Sequence, residues 1–158
     1  MIGLVLTLGG TFTVSAQENT SIATQPQPAE GTTYVAMDFD GLMFQVPMGM
    51  KVERGSRLTA VYPDGTFGLT METVNQPSTK KISFDLCERL ADTLGLPRGL
   101  VKKANFGKAK GAMAQGMIDG MTVSCIVLVV DKHQVLITLM AKPERADWVR
   151  KFMDTLKR

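Results

Sequence analysis

Apolar and polar residues alternate with a period of two over much of the chain beyond about residue 33. Three Asp-Gly pairs, Asp40-Gly41, Asp64-Gly65 and Asp119-Gly120, punctuate the alternation. Asp and Gly tolerate the positive φ that tight hairpin turns demand, so each pair predicts a β-hairpin. The first joins Tyr34–Phe39 to Leu42–Val46, the second Arg57–Tyr62 to Phe67–Val74, and the third Ala112–Ile118 to Thr122–Val130. A fourth turn, Asp131-Lys132-His133-Gln134, leads into Val135–Ala141. The run Cys125–Val130 is apolar without interruption, which places it in the middle of a sheet, covered on both faces.

Two segments carry helical spacing instead. Ser83 is suited to cap a helix over Phe84–Leu94, with Asp85 in its first turn and Gly95 and Pro97 ending it. Phe84, Cys87, Leu90, Ala91 and Leu94 fall on one face. Over Arg145–Lys157, Trp148, Val149, Phe152, Met153 and Leu156 form a stripe opposite Arg150, Lys151, Asp154 and Lys157. Strands, helix, strands, helix is an α+β order. It predicts an antiparallel β-sheet built of hairpins with helices packed on its faces, an α/β/α sandwich.

The start of the chain reads differently. Met1 to Ala16 contains no charge and opens with an apolar run, followed by Val14-Ser15-Ala16. That is the pattern of a secretory signal with Ala16 the last residue removed, too short for a span of about 20 apolar residues. No Lys or Arg precedes the apolar run, so the expectation is that the true start lies upstream and Met1 is internal. No cysteine stands at the cleavage point, which argues against a lipid anchor there. Residues 17–33 are polar, include two prolines and lack periodicity, as a flexible linker does. The folded domain is therefore expected over residues 34–158, in an exported, periplasmic or secreted protein.

Composition narrows the function classes little. Hydrophobic residues make up 44% and charged residues 21% of the 158, as in an ordinary chain with one core. A net charge of +3 and a pI near 8.9 are too mild to imply nucleic acid.

Phe44-Gln45-Val46-Pro47-Met48-Gly49-Met50, the Asp64-Gly65 hairpin, the middle helix, the strands after it and the Trp148/Phe152 helix together resemble the PsbP/Mog1-like fold. The first of these looks like that family's apolar strand followed by Pro-x-Gly-aromatic, with Met50 where an aromatic is usual. The resemblance spans Tyr34 to Arg158. It implies an accessory, binding or assembly protein with no shared enzymatic site, and it carries over no functional residues.

Residues capable of chemistry have structural readings beside them. His133, the only histidine, stands near Asp131, but both fall where a hairpin tip is expected, with no nucleophile motif to serve. One His and two distant Cys lack zinc-ligand spacing. Cys87 and Cys125 leave two readings open: a disulfide, adding roughly 4 kcal/mol by chain entropy, or two buried thiols. The 11 methionines, notably Met113, Met117 and Met121 with Met48 and Met50, raise soft Cu(I) ligation, against gap-filling in an apolar core or an adaptable apolar groove. Asp38, Asp40 and Glu72 are the acids from which a hydrolytic site could be assembled.

The one local charge imbalance lies between Arg98 and Lys110. Arg98, Lys102, Lys103, Lys108 and Lys110 have no acid among them, which reads either as a patch for an anionic partner or as a lysine-protected sheet edge. The expectation is a non-enzymatic envelope module that binds another envelope protein or a small apolar ligand, needs no cofactor, and uses Lys102, Lys103, Lys108 and Lys110 for any anionic partner.

Overall fold

Positive backbone φ at Asp40, Gly41, Asp119, Gly120 and Asp131 turns the chain sharply where the sequence pattern calls for hairpins. The computed structural model describes residues 31–75 and 80–158. The expected signal segment and nearly all of the linker lie outside them. Thr32–Arg158 forms one compact unit.

Its elements in order are β1 (Tyr34–Phe39), β2 (Leu42–Pro47), β3 (Lys51–Arg54), β4 (Arg57–Val61), β5 (Phe67–Val74) and α1 (Lys80–Leu94). There follow β6 (Lys102–Phe106), β7 (Ala109–Ile118), β8 (Met121–Val130), β9 (His133–Ala141), a 3-10 turn at Pro143–Arg145, and α2 (Ala146–Thr155).

Strands β3 to β9 make one antiparallel sheet of order β3-β4-β5-β9-β8-β7-β6. The α+β class and its antiparallel sheet with packed helices are as the sequence pattern predicts. The opening hairpin departs from that picture: β1 and β2 form a separate two-stranded sheet. Alternation fixes local pairing, but it does not say which layer a hairpin joins.

Register assigns the side chains to two faces. On one, Leu58, Ala60, Phe67, Leu69, Met71, Ile126, Leu128, Ile137 and Leu139 pack with Leu42, Phe44 and Val46 of β2 and Trp148, Val149 and Phe152 of α2. The Phe44 and Phe152 ring centroids are 5.2 Å apart. The chain end ties into this layer: Met43 and Lys157 exchange backbone hydrogen bonds of 2.7 and 2.9 Å, and the Gln45 amide donates to Thr155 Oγ1. On the other face, Cys87 and Ala91 of α1 pack on Ala112, Ala114, Val123, Cys125 and Val127. Small residues there let the helix approach closely. Strand β8 is thus covered on both sides, as its continuous apolar run requires.

Helix α1 begins at Lys80, not after Ser83. Ser83 is therefore not a cap. It is buried within the helix and its hydroxyl donates to Gln134 Oε1 at 3.0 Å. Asp85 accordingly lies past the first turn. Gly95, at φ 81°, ends the helix as expected, and the Leu96 amide returns to the Ala91 carbonyl. No helix among the described residues is long and apolar enough to cross a membrane.

Candidate binding surface

The basic run becomes the edge of the sheet. β6 ends the strand order, and Lys102, Lys103, Lys108 and Lys110 are all exposed. None of the four pairs with a carboxylate among the described residues. Arg98 differs: its Nε lies 3.5 Å from Asp92 Oδ1, outside the run.

Successive strand residues face opposite ways, so the lysines divide. Lys110 pairs with Asn105, which places it on the same face as Asn105 and Lys103, the face that α1 covers. Lys102, opposite Met113, points to the other face, and Lys108 sits in the β6–β7 turn. Lys103 and Lys110 therefore flank a pocket of about 210 Å³ between α1 and the edge of the sheet, with Phe84, Val129 and Gly111 in its wall. Gly111 is required by close backbone approach, since a Cβ there would lie 1.8 Å from the Val127 carbonyl oxygen. Ser83 also lines the pocket and connects it to the fully buried Gln134, whose Nε2 has no hydrogen-bond partner among the described residues.

The pocket was not legible in sequence, because Phe84 and Val129 are brought together by packing alone. The lysine run signalled only the rim.

Sequence candidates for chemistry are placed as follows. His133 is the first residue of β9, paired with Val130, and the turn itself is Asp131-Lys132. Its near acid is Asp40, not Asp131. Nε2 stands 2.6 Å from Asp40 Oδ2, near enough to form an ion pair when the ring is protonated, although Nε2 makes no well-aligned hydrogen bond among the described residues. Asp40 Oδ2 also accepts the Thr73 hydroxyl at 2.6 Å, so the three residues join three chain segments. Thr73 bonds to the acid rather than to the imidazole, so this is not a nucleophile–base pair. Asp131 instead meets Arg158 at the chain end.

Glu72 pairs with Arg57 on the α1 side of the sheet, opposite to Thr73 and its partner Asp40. Asp38 is exposed on β1. The acids do not converge. Nor do the methionines: Met113 and Met117 share one face with Gln115, while Met121, opposite Ile118, belongs to the other. Met117 Sδ accepts the Thr122 hydroxyl, Met48 is exposed, and Met50 packs on the core. Among the described residues no group of three or more His, Cys, Asp or Glu side chains is placed to hold a metal.

Cys87 and Cys125 are both fully buried and both free in this structure, with their sulfurs 3.9 Å apart. The Cys87 thiol is pushed up by its hydrogen bond with Cys125 and by burial.

A polar cluster that the sequence did not suggest surrounds Arg145. Its guanidinium lies 4.2 Å from the Trp148 ring centre, and Nε donates to Thr66 Oγ1 at 3.1 Å. Asp64 Oδ1 accepts from both the Thr66 hydroxyl and its amide, and these bonds, with Arg145 adding to them, hold the Asp64 carboxyl below its usual range.

No protein-family model and no curated protein sequence matches the chain. Solved structures do. A crystal structure from Bacteroides thetaiotaomicron VPI-5482 aligns over 73% of this chain and 44% of its own, at 11% identity and a TM-score of 0.48. The present chain thus spans less than half of that protein. The solution structure of cyanobacterial PsbP (CyanoP) from Synechocystis sp. PCC 6803 aligns over 82% of this chain and 92% of its own, at 12% identity and a TM-score of 0.52. At such identities the likeness is one of fold. The chain is distantly related in structure to the PsbP/Mog1-like fold.

Proposed function

We propose that the chain is an exported, non-enzymatic binding or assembly module of the cell envelope, which engages an anionic surface of another envelope protein through the lysines around β6. The observation that carries this reading is four exposed lysines around the β6 edge of the sheet that have no carboxylate partner among the described residues, beside an open pocket. Unpaired like charges at one edge repel one another, and an anionic partner relieves that repulsion. The apolar, uncharged run at Met1–Ala16 supports export. Separation of His133, Cys87 and the methionines into different surroundings supports a role without catalysis.

Affinity capture from the native host envelope, comparing the chain with its Lys102→Ala/Lys103→Ala/Lys108→Ala/Lys110→Ala variant, tests the reading. One partner should be held at low ionic strength, released by salt, and lost by the variant. Equal capture by both proteins at low salt would remove the basic edge from the account. Capture of nothing but a small apolar ligand would replace the protein partner.

A further inference from the structure

We propose that the partner docks as an extended, acid-bearing peptide segment that adds a strand to β6 and places one apolar side chain in the pocket between α1 and β7. This rests on the binding reading above and specifies the form its partner takes.

The edge supplies the first argument. β6 has a strand neighbour on one side only among the described residues, so its outer N–H and C=O groups are available to a further strand. Lysines at an edge discourage pairing with a second copy, since Lys102, Lys103 and Lys108 would meet their own kind. The same charges favour a strand carrying Asp or Glu. Charge therefore selects an acidic occupant over self-association.

The pocket supplies the second. It lies on the α1 face beside β6, where the side chains of an added strand would alternate into it and away from it. Its volume of about 210 Å³ suits one large apolar side chain, given that a cavity of about 150 Å³ accepts benzene. Phe84 and Val129 offer apolar wall, while Lys103 and Lys110 stand at its rim to meet flanking carboxylates. One anchor between acids is the pattern that this geometry reads.

The opposite edge makes the contrast. β3 also has a strand neighbour on one side only among the described residues, but the hollow beside it is lined by Glu53, Arg54, Arg57 and Glu72, a mixed-charge surface with the Arg57–Glu72 pair across it. It offers neither a single sign of charge nor an apolar anchor site.

The test is selection of a displayed random library of short peptides on the full chain, followed by titration of the synthetic winners. Winners should carry Asp or Glu around one Leu, Ile or Phe. Lys103→Glu/Lys110→Glu should weaken them about tenfold, with amide shifts centred on β6 and the start of α1. N-methylation of alternate peptide residues gives the strand signature. In one phase it should lower affinity about tenfold or more, and in the other it should change little. Equal sensitivity in both phases, shifts at β3, or winners without acids would overturn the proposal. So would binding of phosphatidylglycerol vesicles, or of a small apolar molecule, with no acidic peptide selected. If alanine at the four lysines abolishes envelope capture while no peptide binds, this inference fails and the binding reading stands; if capture is also unaffected, both fail.

Discussion

The two faces of the seven-stranded sheet are covered in different ways. One carries a broad layer of large side chains, closed over by the β1–β2 hairpin and α2, with Phe44 in ring contact with Phe152 and Phe67 with Trp148. The other carries Ala112, Ala114, Cys125 and Val127 under a single helix, α1, with Val61 and Met140 left exposed further along the same face. Burial of large apolar groups supplies most of the stability of a small domain. The first face is therefore the one that holds the fold. The second is thinly covered and opens at its β6 side into the lysine-rimmed pocket, leaving it free to serve recognition.

The largest effect should come from the thick face. Phe152→Ala should cost about 4 kcal/mol in denaturant unfolding, against about 2 kcal/mol for Leu90→Ala, a half-buried residue of α1 packed against the second face. Equal losses would mean that the two layers contribute alike, and the comparison would break.

Next is the thiol pair. We propose that a small-molecule disulfide such as oxidised glutathione can join Cys87 to Cys125: both thiols lose their protons, one S–S bond forms, and the reagent leaves as two thiols. A modest side-chain shift would bring the sulfurs from 3.9 Å to the bonded separation of about 2 Å. The bond would fasten α1 to β8 and raise stability by about 3 kcal/mol, somewhat under the chain-entropy value. Intact mass without reductant, followed by thermal unfolding, checks this. An unchanged mass after prolonged oxidation of partly opened protein would show that helix and strand are held apart.

Arg145→Met comes third. Loss of the Trp148 stack and the Thr66 bond should destabilise by about 1 kcal/mol while leaving partner binding intact. A loss of binding instead would move function onto the thick face.

The smallest effect concerns Asp64, whose carboxyl is held below its ordinary 3.8 mainly by the Thr66 bonds. A depressed carboxyl stabilises the fold above the unfolded-state value near pH 4, and that contribution fades as pH falls through the folded value. Asp64→Asn should therefore be slightly less stable at neutral pH, and the gap should close below about pH 4. A gap constant with pH would remove this carboxylate from the stability account.

Much of the fold was legible because its rules are local. Asp-Gly at positions 40–41 and 119–120 fixed two hairpins through backbone φ, and the unbroken apolar run of β8 announced a strand covered on both faces. β3 gave no comparable signal: Lys51, Val52, Glu53 and Arg54 are all exposed, so no buried face imposes alternation on them. Ser83 misled for a related reason. A serine near a helix start normally reads as a cap, but its bond to Gln134, 51 residues away, makes it part of the interior. Of the binding surface, the lysine run marked the edge. The pocket itself required Phe84 of α1 and Val129 of β8 to meet, and no local pattern records that.

Hydrogen–deuterium exchange on the full chain, free and bound to the proposed partner, tests the division of labour between the faces most directly. The account predicts slowed exchange at Lys102–Phe106 and in the first turns of α1, with β3, the β1–β2 hairpin and α2 unchanged. Protection centred on the hairpin and α2, with β6 exchanging as before, would contradict it.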